Sequence, residues 1–317
     1  MEEVRALNAS KGQGIYDILE PTFKIYGALL AKPENKAAIL TIPSTTESYG
    51  PHPRQKLDVY RALDDCSSTP ILVFFYGGGL VRGDKISPQF NLVYHNFGAF
   101  FASRGITTII PDYRRVNSHF GGEDAVFPSG GEDVSLALKW VEKFDTSTKR
   151  TVFIMGNSAG GVHISTFLFE PSFFAQREEY VAGKSRILLK GAIELAVPLH
   201  FGNASTERSS MLMTYYGSEQ GYRAHCPYGL METIAKSGKS RKEAGVPKVM
   251  VLLGEFDPDN DIVKPVKEFV ELWKRIWGDV DCDILKGHNH ISPPWALMAG
   301  EPAGEKWGED LAKWIKN

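Results

Sequence analysis

Thr151-Val-Phe-Ile-Met155 runs straight into Gly156-Asn157-Ser158-Ala159-Gly160-Gly161, and Val162–Phe169 follows with a helix-like pattern. A short apolar run, then G-x-S-x-G, then a helix places a serine on a sharp strand-to-helix turn. Glycines on both flanks remove side chains that would clash in so tight a bend. The Ala159 N–H, beside the helix N-terminus, then faces the oxygen of a reacting carbonyl. Ser158 is the candidate nucleophile.

A serine hydroxyl attacks poorly until a base takes its proton. Behind a turn of this kind the partners follow in the order acid, then histidine, each in a loop after a late strand. Lys248–Leu253 reads as a strand and runs into Gly254-Glu255-Phe256-Asp257-Pro258; Asp281–Leu285 runs into Lys286-Gly287-His288-Asn289-His290. Position alone leaves Asp257 competing with Glu255, Asp259 and Asp261, and His290 with His288. A second amide donor for an oxyanion belongs in the loop after another central strand. Ile71–Phe75 supplies that strand and Tyr76-Gly77-Gly78-Gly79 the loop, so Gly77 or Gly78 is the expected donor. Gly77, Gly79 and Gly83 also resemble a dinucleotide fingerprint, but the spacing is one residue too long and Pro88 interrupts any helix there.

Outward from these motifs, strand-like runs alternate with helix-like stretches. Strands are expected at Ala37–Ile42, Lys56–Tyr60, Ile71–Phe75, Thr107–Pro111, Val152–Met155, Gly191–Val197, Lys248–Leu253 and Asp281–Leu285. Helices are expected at Glu132–Lys143, Pro265–Trp277 and Trp307–Ile315. Runs such as Val249-Met-Val-Leu-Leu253 lack polar alternation, as central strands covered on both faces do. The expected fold class is α/β, a mainly parallel, doubly wound, eight-stranded sheet in a single domain over residues 1–317. Residues 1–36 and 198–246 break the rhythm. The second stretch carries Met211 and Tyr215 among many apolar residues, and such insertions serve as lids or as self-packed subdomains.

Composition narrows the function. The chain has 317 residues, 43% hydrophobic and 23% charged, with a formal net charge of −2. No basic block interleaves with aromatics, so nucleic acid is not an expected partner. Cys66, Cys226 and Cys282 form no metal-like or disulfide-like pattern, and no metal or organic cofactor is expected. No apolar run approaches the roughly 18 residues of a membrane span, and Met1-Glu-Glu-Val-Arg5 does not read as a secretion signal. A cytoplasmic protein follows, with Asn8 and Asn203 as unused surface sequons.

With these residues placed, the chain resembles the hormone-sensitive-lipase-like esterases of the α/β-hydrolase superfamily. Leu57-Asp-Val-Tyr60, Tyr76-Gly-Gly-Gly79, Pro111-Asp-Tyr-Arg114, Phe127-Pro-Ser-Gly-Gly-Glu-Asp133, Gly156-Asn-Ser-Ala-Gly-Gly161, Asp257-Pro258 and Gly287-His-Asn-His290 match family motifs in order, over residues 37–292. The resemblance implies an α/β-hydrolase fold with a helical cap from residues 1–36 and 198–246. It implies Ser158, Asp257 and His290 as catalytic residues, with Gly77, Gly78 and Ala159 as the oxyanion hole. Tyr76, Asn157, Met211 and Tyr215 are the expected substrate contacts. Tyr76 replaces the family's His, and Asn157 its frequent Asp. The implied reaction is hydrolysis of small to medium apolar or aromatic carboxylic esters. Amide or lactone cleavage, cyclisation or acyl transfer at the same site, and non-catalytic binding are the alternatives. The partner would be a small-molecule ester, the assembly a monomer or homodimer.

Overall fold

The computed structural model describes residues 1–144 and 149–317, and their side chains except that of residue 207. The described strands form one eight-stranded sheet: β1 (Thr45–Ser48), β2 (Lys56–Tyr60), β3 (Ile71–Phe75), β4 (Thr107–Pro111), β5 (Arg150–Asn157), β6 (Ile187–Leu195), β7 (Lys248–Phe256) and β8 (Asp281–Asn289). Their order is β1-β2-β4-β3-β5-β6-β7-β8. β1 and β2 are antiparallel to their neighbours and the rest are parallel. All five residues of β3 and of β4 are buried, and β3 is apolar throughout, as a central strand covered on both faces requires.

One expectation fails at the start of the sheet. Ala37–Ile42 is not a strand; most of it lies in a helix. The N-terminal segment folds as α1 (Glu2–Lys11), α2 (Ile15–Leu30) and α3 (Pro33–Leu40). Pro33 at the first turn and Glu34 beside it start α3, a signal that outweighs the apolar run. The first strand is instead the fully exposed Thr45–Ser48. Asn8 of α1 is also buried rather than on the surface, its Nδ2 donating to the Val4 carbonyl at 2.7 Å.

Between the strands lie α4 (His95–Ala102), α5 (Ser129–Phe144), α6 (Ala159–Phe169) and α7 (Phe174–Val181). The insertion between β6 and β7 carries α8 (Thr206–Tyr216), α9 (Glu219–His225) and α10 (Pro227–Lys236). After β7 come α11 (Lys264–Trp277), α12 (Ser292–Ala296) and α13 (Pro302–Lys316). On one face α6 packs on β5 and meets α11 through Phe169 and Phe269. On the other, Trp314 of α13 packs on Phe153 of β5. The sheet is therefore covered on both faces, and the loops at the C-terminal ends of β3, β5, β7 and β8 open at one edge.

Candidate active site

Ser158 sits at φ 50° and ψ −115°, a conformation that costs a non-glycine residue energy and persists only when its surroundings force it. The surroundings here are glycine contacts. A Cβ on Gly160 would meet the carbonyl oxygens of Phe75 and, at 2.6 Å, of Tyr76; one on Gly161 would lie 2.8 Å from Glu194 Oε2. α6 can start directly at the serine only because these positions carry no side chain.

The late-strand loops converge on it. His290 Nε2 lies 3.0 Å from Ser158 Oγ, and His290 Nδ1 lies 2.8 Å from Asp257 Oδ1. The second oxygen of Asp257 accepts the Gly254 N–H at 2.6 Å, which fixes the carboxylate. Both side chains are buried. The competitors are used elsewhere. Glu255 accepts the Gly287 N–H at 2.6 Å and pairs with Arg5. Asp261 binds Arg208 at 2.6 Å, and Asp259 is exposed. His288 bonds Ser292 Oγ at 2.9 Å, and burial pushes its imidazole down to about 4.

Gly77 passes close to Ser158: a Cβ there would lie 3.3 Å from the Ser158 Cβ. Among the described residues, the Gly77 and Gly78 amides donate to no protein acceptor. The Ala159 N–H belongs to the first turn of α6, where no intrahelical carbonyl is in reach. Gly78, at φ 153°, tolerates no side chain because Arg82 O occupies that space.

Three of the four expected substrate contacts are placed differently. Tyr76 is fully buried and faces away from the cleft: its hydroxyl donates to Asp112 Oδ1 at 2.5 Å and accepts from Arg54 Nη2 at 3.0 Å. Stacked on Tyr94 and tilted against Tyr113, it anchors the glycine loop from below. Tyr215 is buried against Phe127 and accepts the Gly130 N–H at 3.1 Å, so it holds the start of α5 instead of touching substrate. Asn157 is buried too; its Nδ2 donates to the Leu195 carbonyl at 3.2 Å, a bond no aspartate could make. Met211 does line the cavity beside Ser158. That cavity holds about 30 Å³, and Leu80, Val162, Phe201, Arg208 and Leu212 join Met211 in its wall. Sequence reasoning missed these five. Only Phe201, Arg208 and Leu212 stood in a stretch already marked as unusual, and nothing local distinguishes a lining residue from a packing one.

Residues 1–36 meet the site at its base loop. Asn289 Nδ2 donates to Thr22 Oγ1 at 2.9 Å, and the Met1 amino group pairs with Glu301 at 2.7 Å. Two of the sequence motifs also meet each other: the Arg114 N–H donates to Asp133 Oδ2 at 2.8 Å. Among the described residues no His, Cys, Asp and Glu cluster could hold a metal, and no helix is long and apolar enough to cross a membrane.

Known proteins share this fold. The BD-FAE family matches residues 57–189, the span from β2 through the nucleophile turn into β6. The fold superposes on the Thermogutta terrifontis esterase Est2 with a TM-score of 0.59 at 20% identity, covering 86% of this chain and 92% of that one. It superposes on brefeldin A esterase, a bacterial homologue of human hormone-sensitive lipase, with a TM-score of 0.60 at 21% identity, covering 93% and 85%. The chain has the α/β-hydrolase fold. It is also 27% identical over 216 residues to Probable isoprenylcysteine alpha-carbonyl methylesterase ICMEL2 of Arabidopsis thaliana, covering 66% of the chain and 48% of that protein. The chain spans about half the length of the curated relatives it matches.

Proposed function

We propose that the protein is a serine carboxylic ester hydrolase acting through an acyl-enzyme on small esters. One observation carries the reading: a buried Asp257–His290–Ser158 relay, with contacts of 2.8 and 3.0 Å, beside a glycine loop with unused amides. His290 takes the Ser158 proton as Oγ attacks the ester carbonyl. Asp257 holds the imidazole tautomer and stabilises the imidazolium. The amides of Gly77 or Gly78 and of Ala159 receive the oxyanion, each such donor being worth roughly 10²–10³ in turnover. His290 then protonates the departing alcohol, and water releases the acyl group by the reverse sequence.

The cleft of about 30 Å³ suits the short end of the acyl range, since one water needs roughly 10–15 Å³ on the same measure. α8 and the rest of residues 198–246 serve as the cap, with residues 1–36 completing it at the His290 loop. Esters are favoured over amides and lactones by the esterase neighbours and the methylesterase relatives. The three free cysteines support a cytoplasmic setting.

A fluorophosphonate probe should label wild-type protein at Ser158. Ser158→Ala should fold normally yet lose labelling and all turnover of short acyl esters. Ester turnover at the wild-type rate by that variant would refute the proposal.

A further inference from the structure

The helix that begins at Ser158 ends beside a second and larger cavity. It holds about 160 Å³ against about 30 Å³ at the nucleophile, and α6 separates the two by 11 residues, about 16 Å. Phe169, Phe174 and Ile234 give it apolar walls, and Arg177 and Lys239 bring two cations to it; no carboxylate side chain lines it. An apolar cavity of roughly 150 Å³ accepts a guest the size of benzene.

The cations are unusual in their company. Arg177 is 2% exposed, and long charged side chains are almost never so buried without a charged partner. Its Nε donates to the Ala244 carbonyl at 3.3 Å, and its Nη1 to the carbonyls of Phe167 and Glu170 at 2.9 and 3.0 Å. Those bonds cap the C-terminal end of α6 but leave a full positive charge without a carboxylate within 4 Å among the described residues. The Glu170 carboxylate acts on it only from further off, and burial pushes the guanidinium down to about 10. Lys239 Nζ lies 4.6 Å from the centre of the Phe174 ring, over its π-face, and likewise makes no ion pair among the described residues. Capping explains where Arg177 sits. It does not explain a benzene-sized space left beside it, nor a second cation at the same space.

We propose that this cavity is a binding site for a small amphipathic carboxylate of about six carbons, its apolar body between Phe169, Phe174 and Ile234 and its carboxylate toward Arg177 and Lys239. The occupant would join α6 and α7 to α10, so it would link the helix that carries the nucleophile to the insertion that walls the catalytic cleft. The site does not depend on the catalytic reading.

Calorimetric titration of the full chain with hexanoate tests it, with hexylammonium as the control of opposite charge. Hexanoate should bind saturably at one equivalent and hexylammonium should not. Lys239→Gln should weaken hexanoate by about fivefold, the scale of a partly exposed ion pair. Ile234→Phe, which fills the cavity from its wall, should weaken it at least tenfold. Both variants should keep wild-type thermal stability and wild-type labelling of Ser158. Absence of saturable hexanoate binding, equal binding of hexylammonium, or an unchanged affinity in Ile234→Phe would each overturn the proposal.

Discussion

Glu194 shows how much a single buried group can shape the nucleophile turn. It lies opposite Gly156 on β6, and its Oε1 accepts the Ser165 hydroxyl of α6 at 2.6 Å. Oε2 has no partner among the described residues and rests against Gly161. Burial pushes the carboxyl up to about 8, so the folded protein prefers it neutral. In the unfolded chain it titrates near an ordinary glutamate. Between about pH 4.5 and pH 8 the native state therefore binds the extra proton, and stability falls as pH rises through that window. Denaturant unfolding at pH 6 and pH 9 should show a loss of about 3 kcal/mol attributable to this group. Glu194→Gln should flatten that dependence; an unchanged pH slope in the variant would count against a neutral Glu194. The residue scale also explains why Tyr76 and Asn157 defy a sequence reading. Each sits beside the chemistry in the chain, yet its side chain turns inward to an acceptor, Asp112 or Leu195, that no local pattern announces.

At the scale of elements, the turn between β5 and α6 is held by backbone contact more than by side chains. Gly160→Ala would drive a methyl group into the carbonyls of Phe75 and Tyr76, which a strand end cannot yield. The expected cost is about 3 kcal/mol or more, read as a lowered denaturation midpoint, with activity lost in whatever folds. Central elements of this kind were legible: β2, β3 and β4 fall on the residues expected for them from the sequence. Peripheral ones were not. Ala37-Ala-Ile-Leu40 carries no period that separates helix from strand, and Pro33 decides it from outside the run. β1 is exposed at all four positions, so burial left no mark on its sequence. β7 and β8 extend to Phe256 and Asn289, beyond where their hydrophobicity ends, because ladder bonds to neighbours continue there.

Across the whole molecule, the relay is a product of strand order. β5, β7 and β8 lie on one side of the sheet's centre, with β6 between β5 and β7, and their C-terminal ends deliver Ser158, Asp257 and His290 to one point. Asp257→Asn leaves every strand in place but favours the wrong imidazole tautomer. Ester hydrolysis should drop by roughly 10⁴ with near-native thermal unfolding. An activity within tenfold of wild type would show that the aspartate has no part in the reaction.

The sequence by itself determined the order of the strands from Lys56 onward, the turn that strains Ser158, and the two loops from which an acid and a base would come. Those features are local: period, glycine placement and strand-end position write them into short stretches of chain. Only the tertiary structure decided that Glu255, Asp261 and His288 serve other partners, that Tyr76 and Tyr215 face inward, and that Leu80, Phe201 and Arg208 wall the cleft. The physical reason is that a side chain's partner lies across the fold, often far away in the chain, and its identity depends on which surfaces packing brings within a few ångströms.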